Sequence, residues 1–310
     1  MPKLVVMSKF LPALLIPESD QTLLQELATT LVDHNLEQYN NLCVTKDGHP
    51  DSRLWTPTRK VEGIRIYREH PHTAGESPPA IPSLLLLGSV VGKLDDLMYG
   101  VVAPTDETLK LKSSCIRDGV RDSKVLEELV YPTVDDPFHH KTNNTVECYT
   151  RGFFDLSTDT HDSAILALQT IATQWLSFSR SMECAHMKKL AWRLRKNSDD
   201  ADLVEFAPVQ RKQKPKDRPA DSTCRVCAKN FSFLPGRKKT CKSCDHAVCS
   251  RCCVKKLVCV VAPDQSSILE KKRTFCSRCI HEVVQSDAVA IAREELVTKR
   301  HDKDPVEFSL

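Results

Sequence analysis

The sequence predicts an α+β fold, a mixed module followed by a small domain built around cysteines. Three observations carry that reading. Apolar residues recur at helical spacing in some stretches and alternate in others over the first two thirds of the chain, so helices and strands interleave. Eight of the fourteen cysteines fall between 224 and 279 as four Cys-x-x-Cys pairs: Cys224/Cys227, Cys241/Cys244, Cys249/Cys252 and Cys276/Cys279. Residues 211–282 hold 18 Lys and Arg against 6 Asp and Glu, a local +12 that leaves −9 for the rest of a chain whose total is +3.

From the start, Leu23, Leu24, Leu27, Leu31 and Val32 form one stripe of a helix over 15–36, with Ser19 and Asp20 as cap candidates. Strands are predicted at 61–67 and 84–91, separated by a loop at 70–82 rich in Pro, Gly, Ser and Thr. A short helix at 93–99, a strand at 109–116 from the Leu109-Lys-Leu-Lys112 alternation, and a helix at 123–130 follow, then extended chain at 145–150 and 152–156. Between 161 and 195, Ile165, Leu168, Ala172, Trp175, Met182, Met187, Leu190 and Leu194 give a long helix with a broad apolar face. A curled antiparallel sheet with helices at both ends of the module is the expected packing. Residues 198–222 read as a charged, proline-interrupted linker, and 280–300 as a helix followed by a loose tail. The domain boundaries expected are 1–197, 198–222, 223–282 and 283–310.

Two residues between paired cysteines let both thiolates bind one ion from a tight turn, and two such pairs complete a tetrahedral sulfur site, so four pairs imply two Zn2+. A disulfide framework fits poorly in a lysine-rich chain with no convincing secretory leader, where Cys252 and Cys253 are adjacent. In a cross-brace, Cys224, Cys227, Cys249 and Cys252 hold one ion, and Cys241, Cys244, Cys276 and Cys279 the other. All-sulfur sites are closed and leave no position for a catalytic water, so the expectation is a non-enzymatic protein. The lone cysteines Cys43, Cys115, Cys148 and Cys184 read as small buried hydrophobes, and His139 and His140 as part of a polar loop.

With gaps of 13, 4 and 23 residues between pairs, Phe231 after the second cysteine and the string Arg237-Lys-Lys-Thr-Cys-Lys242, the region resembles FYVE zinc fingers. The resemblance implies binding of phosphatidylinositol 3-phosphate or a looser set of anionic lipids. Arg237, Lys238, Lys239 and Lys242 would contact the headgroup, and Phe233 and Leu234 would insert into the bilayer. No tryptophan lies between Trp192 and Cys224, and Lys239 and Thr240 stand where that family has histidines. The first module is similar to START-like helix-grip domains through Trp55, the Val-Glu-Gly-Ile-Arg-Ile-Tyr segment at 61–67, the Gly-Lys-Leu-Asp-Asp-Leu-Met-Tyr-Gly segment at 92–100 and Asp136-Pro137-Phe138. That likeness implies a long C-terminal helix closing a lipid cavity, or a surface for a protein partner.

The expected protein is cytoplasmic and peripheral on endosomal membranes, with a homodimer through the final helix as a way to multiply weak binding. A different class satisfies the same spacing. With His246 in place of Cys241 the ligand order becomes that of RING domains, which recruit ubiquitin-charged conjugating enzymes, and a zinc-finger interaction scaffold is the related alternative. Nucleic acid is not expected, because exposed aromatics for base stacking are few among the cations.

Overall fold

In a computed structural model of the 310-residue chain, the described residues are 11, 14–42, 44–70, 83–120, 122–138, 146–154, 161–197, 222–231, 238–262 and 267–303. They fall into two compact units that do not follow the single cut expected at the linker. Unit 1 contains 1–94, 116–131 and 141–182, and unit 2 contains 95–115, 132–140 and 183–310. The expected first domain, 1–197, is thereby divided, because two of its helical stretches share a core with the cysteine region.

Unit 1 opens with α1 (Glu18–Asn40) and a four-stranded antiparallel sheet of β1 (Trp55–Val61), β2 (Ile64–Glu69), β3 (Ser83–Val90) and β4 (Val146–Phe153), in that spatial order. β1 and β2 meet through a two-residue turn in which Glu62 takes the left-handed region at φ 50°. Pro57 interrupts the register of β1, which an edge strand tolerates because half of its backbone donors face no partner. β3 is interior, and Leu84 to Leu87 are all buried because the sheet is covered on both faces. Ile64, Ile66, Leu84 and Leu86 point to one side. Trp55, Tyr67, Leu85 and Leu87 cluster on the other with Leu42 and Tyr149.

α4 (His161–Leu176) lies on the first of these faces, burying Leu168, Ala172 and Leu176. Its Trp175 ring sits against Gly152 so closely that a Cβ there would fall 2.9 Å from the ring. Gly63 and Gly88 play a similar part between β2 and β3, where a Cβ on Gly63 would stand 2.5 Å from the Ser89 carbonyl oxygen. The predicted helix at 15–36 is present, but its apolar stripe is not core. Leu23, Leu27 and Leu31 are all more than half exposed, and no residue of α1 is buried. The stretch 123–130, expected to be helical, has no regular structure.

Unit 2 begins with α2 (Leu94–Val101) and α3 (Asp106–Ile116), except that Leu94 and Ile116 fall in unit 1. A strand was expected at 109–116. Leucine and lysine alternate there but both favour helix, and Thr105 caps the turn by accepting the Thr108 N–H at its side-chain oxygen, so local propensity outweighs the two-residue pattern. The predicted long helix at 161–195 is split by a 3-10 turn, Ser177–Arg180, into α4 and α5 (Ser181–Asn197). From Glu183 onward α5 belongs to unit 2. The remaining elements are the short pair β5 (Lys238–Thr240) and β6 (Ala247–Cys249), the hairpin β7 (Cys253–Val261) and β8 (Ile268–Cys276), α6 (Ser277–Gln285) and α7 (Ala288–Lys303). One helix was expected at 280–300. It breaks at Ser286 and Asp287 because Asp287 Oδ1 accepts the N–H groups of Val289 and Ala290, starting a new helix.

A buried cation fastens that break. Lys189 is fully buried and its Nζ donates to Asp96 Oδ1 at 2.7 Å and to the Ser286 carbonyl at 2.6 Å. The pair thus joins α2, α5 and the α6–α7 corner. Among the described residues no helix is long and apolar enough to cross a membrane.

Candidate metal centre

The eight paired cysteines converge into two tetrads, Cys224/Cys227/Cys249/Cys252 and Cys241/Cys244/Cys276/Cys279, each with its four sulfurs within 4.8 Å of one another. The grouping is that of the cross-brace, first pair with third and second with fourth. Two local hairpins create it. β5 and β6 pair across the loop that holds Cys241 and Cys244, and the Arg225 N–H donates to the Ala247 carbonyl at 3.0 Å, which brings the third pair beside the first. The β7–β8 hairpin then returns the chain so that Cys253 stands opposite Cys276, and the Ser277 N–H donates to the Cys252 carbonyl at 3.0 Å.

The two sites repeat the same local construction. In each, the first Cys-x-x-Cys is followed by a residue with positive φ, Ala228 at 55° and Asp245 at 56°. That residue's N–H donates back to the carbonyl of the first cysteine, Ala228 to Cys224 at 2.8 Å and Asp245 to Cys241 at 2.9 Å. The first sulfur of each site also accepts a main-chain N–H from the partner pair, Cys249 to Cys224 Sγ at 3.4 Å and Cys276 to Cys241 Sγ at 3.2 Å. Such donors stabilise a thiolate over a thiol. Burial pushes the Cys224 thiol up, but the N–H groups of Cys227, Cys249 and Val226 prevail and bring it to about 6. Cys241 shows the same contest and the same outcome, a lowered value.

The spacing fits a metal. A Zn–S bond of about 2.3 Å in a tetrahedron places sulfurs about 3.8 Å apart. Cys227 and Cys249 Sγ are 3.8 Å apart, and Cys244 and Cys276 Sγ 4.0 Å. The sites differ in surroundings: in the first, Cys227 is exposed and Cys249 and Cys252 half-buried, whereas in the second Cys241, Cys276 and Cys279 are buried. Cys276 also caps α6, accepting the Cys279 N–H at 3.3 Å, so the second site sits on a helix N-terminus whose dipole favours negative sulfur.

His246 lies outside both tetrads. Its Nδ1–H donates to the Cys244 carbonyl at 2.6 Å, while Cys241, the residue left idle in the RING-type set, is fully buried among the other three sulfurs. The basic string is only partly described. Arg237, Phe233 and Leu234 lie outside the described residues. Lys238 and Lys239 are adjacent on β5 and therefore project to opposite faces of the strand. The Lys238 Nζ stands 5.8 Å over the Phe231 ring, and the Lys242 N–H ties the second knuckle to the Thr274 carbonyl at 2.8 Å.

Sequence reasoning missed what completes this region. The core around the sulfurs includes Val248, Val258, Phe275 and Val283, and also Leu190, Ala191 and Leu194 of α5, far upstream of the cysteines. The available sign was the width of the apolar face at 161–195, more than one packing partner can cover. The β7–β8 hairpin was also missed, although Val258, Val260 and Val261 are strand formers.

Unit 1 offers a different kind of hollow, a cleft of about 460 Å3 lined by His34, Gln38, Asp51, Trp55, Glu69 and Arg151. Arg151 pairs with Leu85 across the strands, so the cleft opens on the sheet face away from α4. A START-like lipid cavity would lie beneath the closing helix, and on that side Trp175 packs onto Gly152. Comparison with protein-family models, curated proteins and solved structures found no match for this chain.

Proposed function

We propose that the chain is a zinc-dependent recruitment protein that docks on phosphoinositide-containing membranes through the basic face of its cysteine region. The two all-sulfur tetrads carry this reading. They are closed, electron-rich and spaced for tetrahedral ions, which suits a structural metal and favours Zn2+ over harder cations. The two ions would hold β5 and its flanking turns rigid. The lysines of that strand, with Arg237, would then present cations to a phosphorylated headgroup through charge-assisted hydrogen bonds. Apolar Phe233 and Leu234 would supply insertion, and electrostatic attraction to an anionic leaflet would supply orientation. Residence on endosomal membranes follows if the preferred lipid is the 3-phosphate. In this reading unit 1 serves as a partner-binding scaffold, supported by the packing of Trp175 directly on the sheet.

The test is co-sedimentation of the full zinc-loaded chain with liposomes that differ only in phosphoinositide. The full chain is required because α5 contributes to the core around the cysteines. Selective binding, lost in Arg237→Ala and unequally reduced by Lys238→Ala and Lys239→Ala on their opposite strand faces, is the expected result. Binding that follows total negative charge would reduce the region to a basic anchor, and no binding would end the membrane reading.

A further inference from the structure

Unit 2 also holds a cavity of about 590 Å3, enclosed by residues of α2, α3, α5, α7 and the end of β7. No tetrad cysteine lines it. From α5 come Lys188, Ala191, Trp192 and Arg195, whose steps of three and four mark a single helix face. Leu111 of α3 and Val261 of β7 add further apolar surface. A smaller space shares Tyr99, Thr108, Lys188 and Glu295 with the first and adds Val102, Phe138 and Leu296, so the apolar lining continues past the polar groups.

The charged groups of the cavity balance one another. Three cations, Lys188, Arg195 and Lys196, face three acids, Glu107, Glu294 and Glu295. Arg195 donates to Glu295 Oε1 at 2.5 Å, the Tyr99 hydroxyl donates to Glu295 Oε2 at 3.1 Å, and Lys196 donates to Glu294 Oε2 at 2.9 Å. Both Arg195 and Lys196 are about half exposed, so these ion pairs stand at the solvent side. Lys188 is buried, and its Nζ donates to the Tyr99 and Val102 carbonyls at the C-terminus of α2, where the helix dipole favours a cation.

We propose that this cavity is a binding site for an uncharged amphiphile, an apolar molecule carrying a single hydroxyl or carbonyl group. Its size is that of small-molecule sites, which combine apolar walls with a few convergent polar groups. A charged occupant would leave water for a place with no net opposite charge, which is unfavourable. An uncharged one gains from burial against Leu111, Ala191, Trp192 and Val261, and its polar group can meet the Tyr99 hydroxyl and the Glu295 carboxylate. Ala191 belongs to the core around the sulfurs as well as to the cavity, so an occupant would stabilise the metal-bound form. The inference does not depend on membrane docking.

The experiment irradiates the full zinc-loaded chain with benzophenone, an uncharged aromatic ketone that inserts into nearby C–H bonds, and maps the trypsin fragments that gain its mass. Fragments 94–110, 190–193 and 294–299 carry the lining residues of α2, α3, α5 and α7. Labelling confined to these, at no more than one benzophenone per chain, is the expected result. Decanol should suppress it at a concentration at least tenfold lower than decanoate or decyltrimethylammonium, which have the same chain and a charge. Thr298→Trp, at an exposed lining residue of α7, should lower labelling at least tenfold, and Thr298→Ala should leave it unchanged. Labels spread over both units, or absent from all three fragments, would overturn the site. Equal competition by the charged chains would overturn the uncharged class. The wild-type map and the competition decide the matter even if a variant fails to fold.

Discussion

The interior of unit 1 is carbon: Ile64, Ile66, Tyr67 and Leu84 to Leu87 from two strands, with α4 laid over one face. The interior of unit 2 is sulfur and charge: eight cysteines in two tetrads and a buried Lys189–Asp96 pair, with Phe275, Val258 and the leucines of α5 filling the spaces between. An aliphatic core stabilises through area removed from water and degrades gradually when trimmed. A core of thiolates and a buried ion pair holds only while each charge has its partner, since unpaired burial of a charge is strongly unfavourable. The two units should therefore fail in different ways.

Metal removal is the largest expected effect. Structural zinc contributes about 10–16 kcal/mol per site in small fingers, more than a whole domain's net stability. A strong chelator should abolish hydrogen-exchange protection across 222–285 while β2 and β3 stay protected, and equal loss in both would show that the units do not fold separately. Within that experiment, Cys241→Ser should lower bound zinc from two ions to one, and His246→Ala should leave two.

Next is the buried pair. Lys189→Met leaves Asp96 charged and partnerless, an expected loss of about 3–5 kcal/mol. The double change Lys189→Met with Asp96→Leu should recover most of it, which denaturant titration would read. If the single change is as mild as the double one, the pair is a passenger of unit 2 and its charge is not what holds the α6–α7 corner.

A smaller effect is expected in unit 1 from Gly88→Ala. The added methyl would run into the backbone at Gly63 and Ile64, and such overpacking typically removes about 1–3 kcal/mol. The thermal transition of the sheet should fall while the zinc content of unit 2 stays at two.

The smallest concerns pH. Arg53 donates to Asp51 from its side chain and its main-chain N–H and holds that carboxyl at about 2, against an ordinary 3.8. A depressed folded value means that the contribution is complete above about pH 4 and is lost as pH falls through 2. The pair is exposed, so the change should be slight. An NMR titration of Asp51 with its midpoint near 2, made ordinary by Arg53→Ala, is the check.

Legibility followed the range of the interactions. The tetrads were readable because ligand spacing is a local code: two residues between cysteines shape the turn, and four such turns state their number of sites. β3 was readable for the same reason, since an uninterrupted Leu84 to Leu87 run has few other uses. At 109–116 two local signals disagreed, and alternation lost to the helix preference of leucine and lysine and the Thr105 cap. The stripe on α1 was legible as a helix, but its exposure was not, because periodicity shows which residues share a face but not whether anything covers it.

By itself the sequence determined the mixed α+β character, the four Cys-x-x-Cys pairs, the basic balance of the cysteine region and the approximate positions of α1, β2, β3, α2 and the helical stretch at 161–195. Each of these depends on residue type and on spacings within a few turns of chain. Only the tertiary structure decided that 95–115 and 183–197 share a unit with the cysteines, that Lys189 finds Asp96 and that His246 stays outside the tetrads. Those outcomes bring together residues dozens of positions apart. What selects them is the requirement that every buried apolar surface, charge and thiol find its complement at once, and no short window of sequence contains that condition.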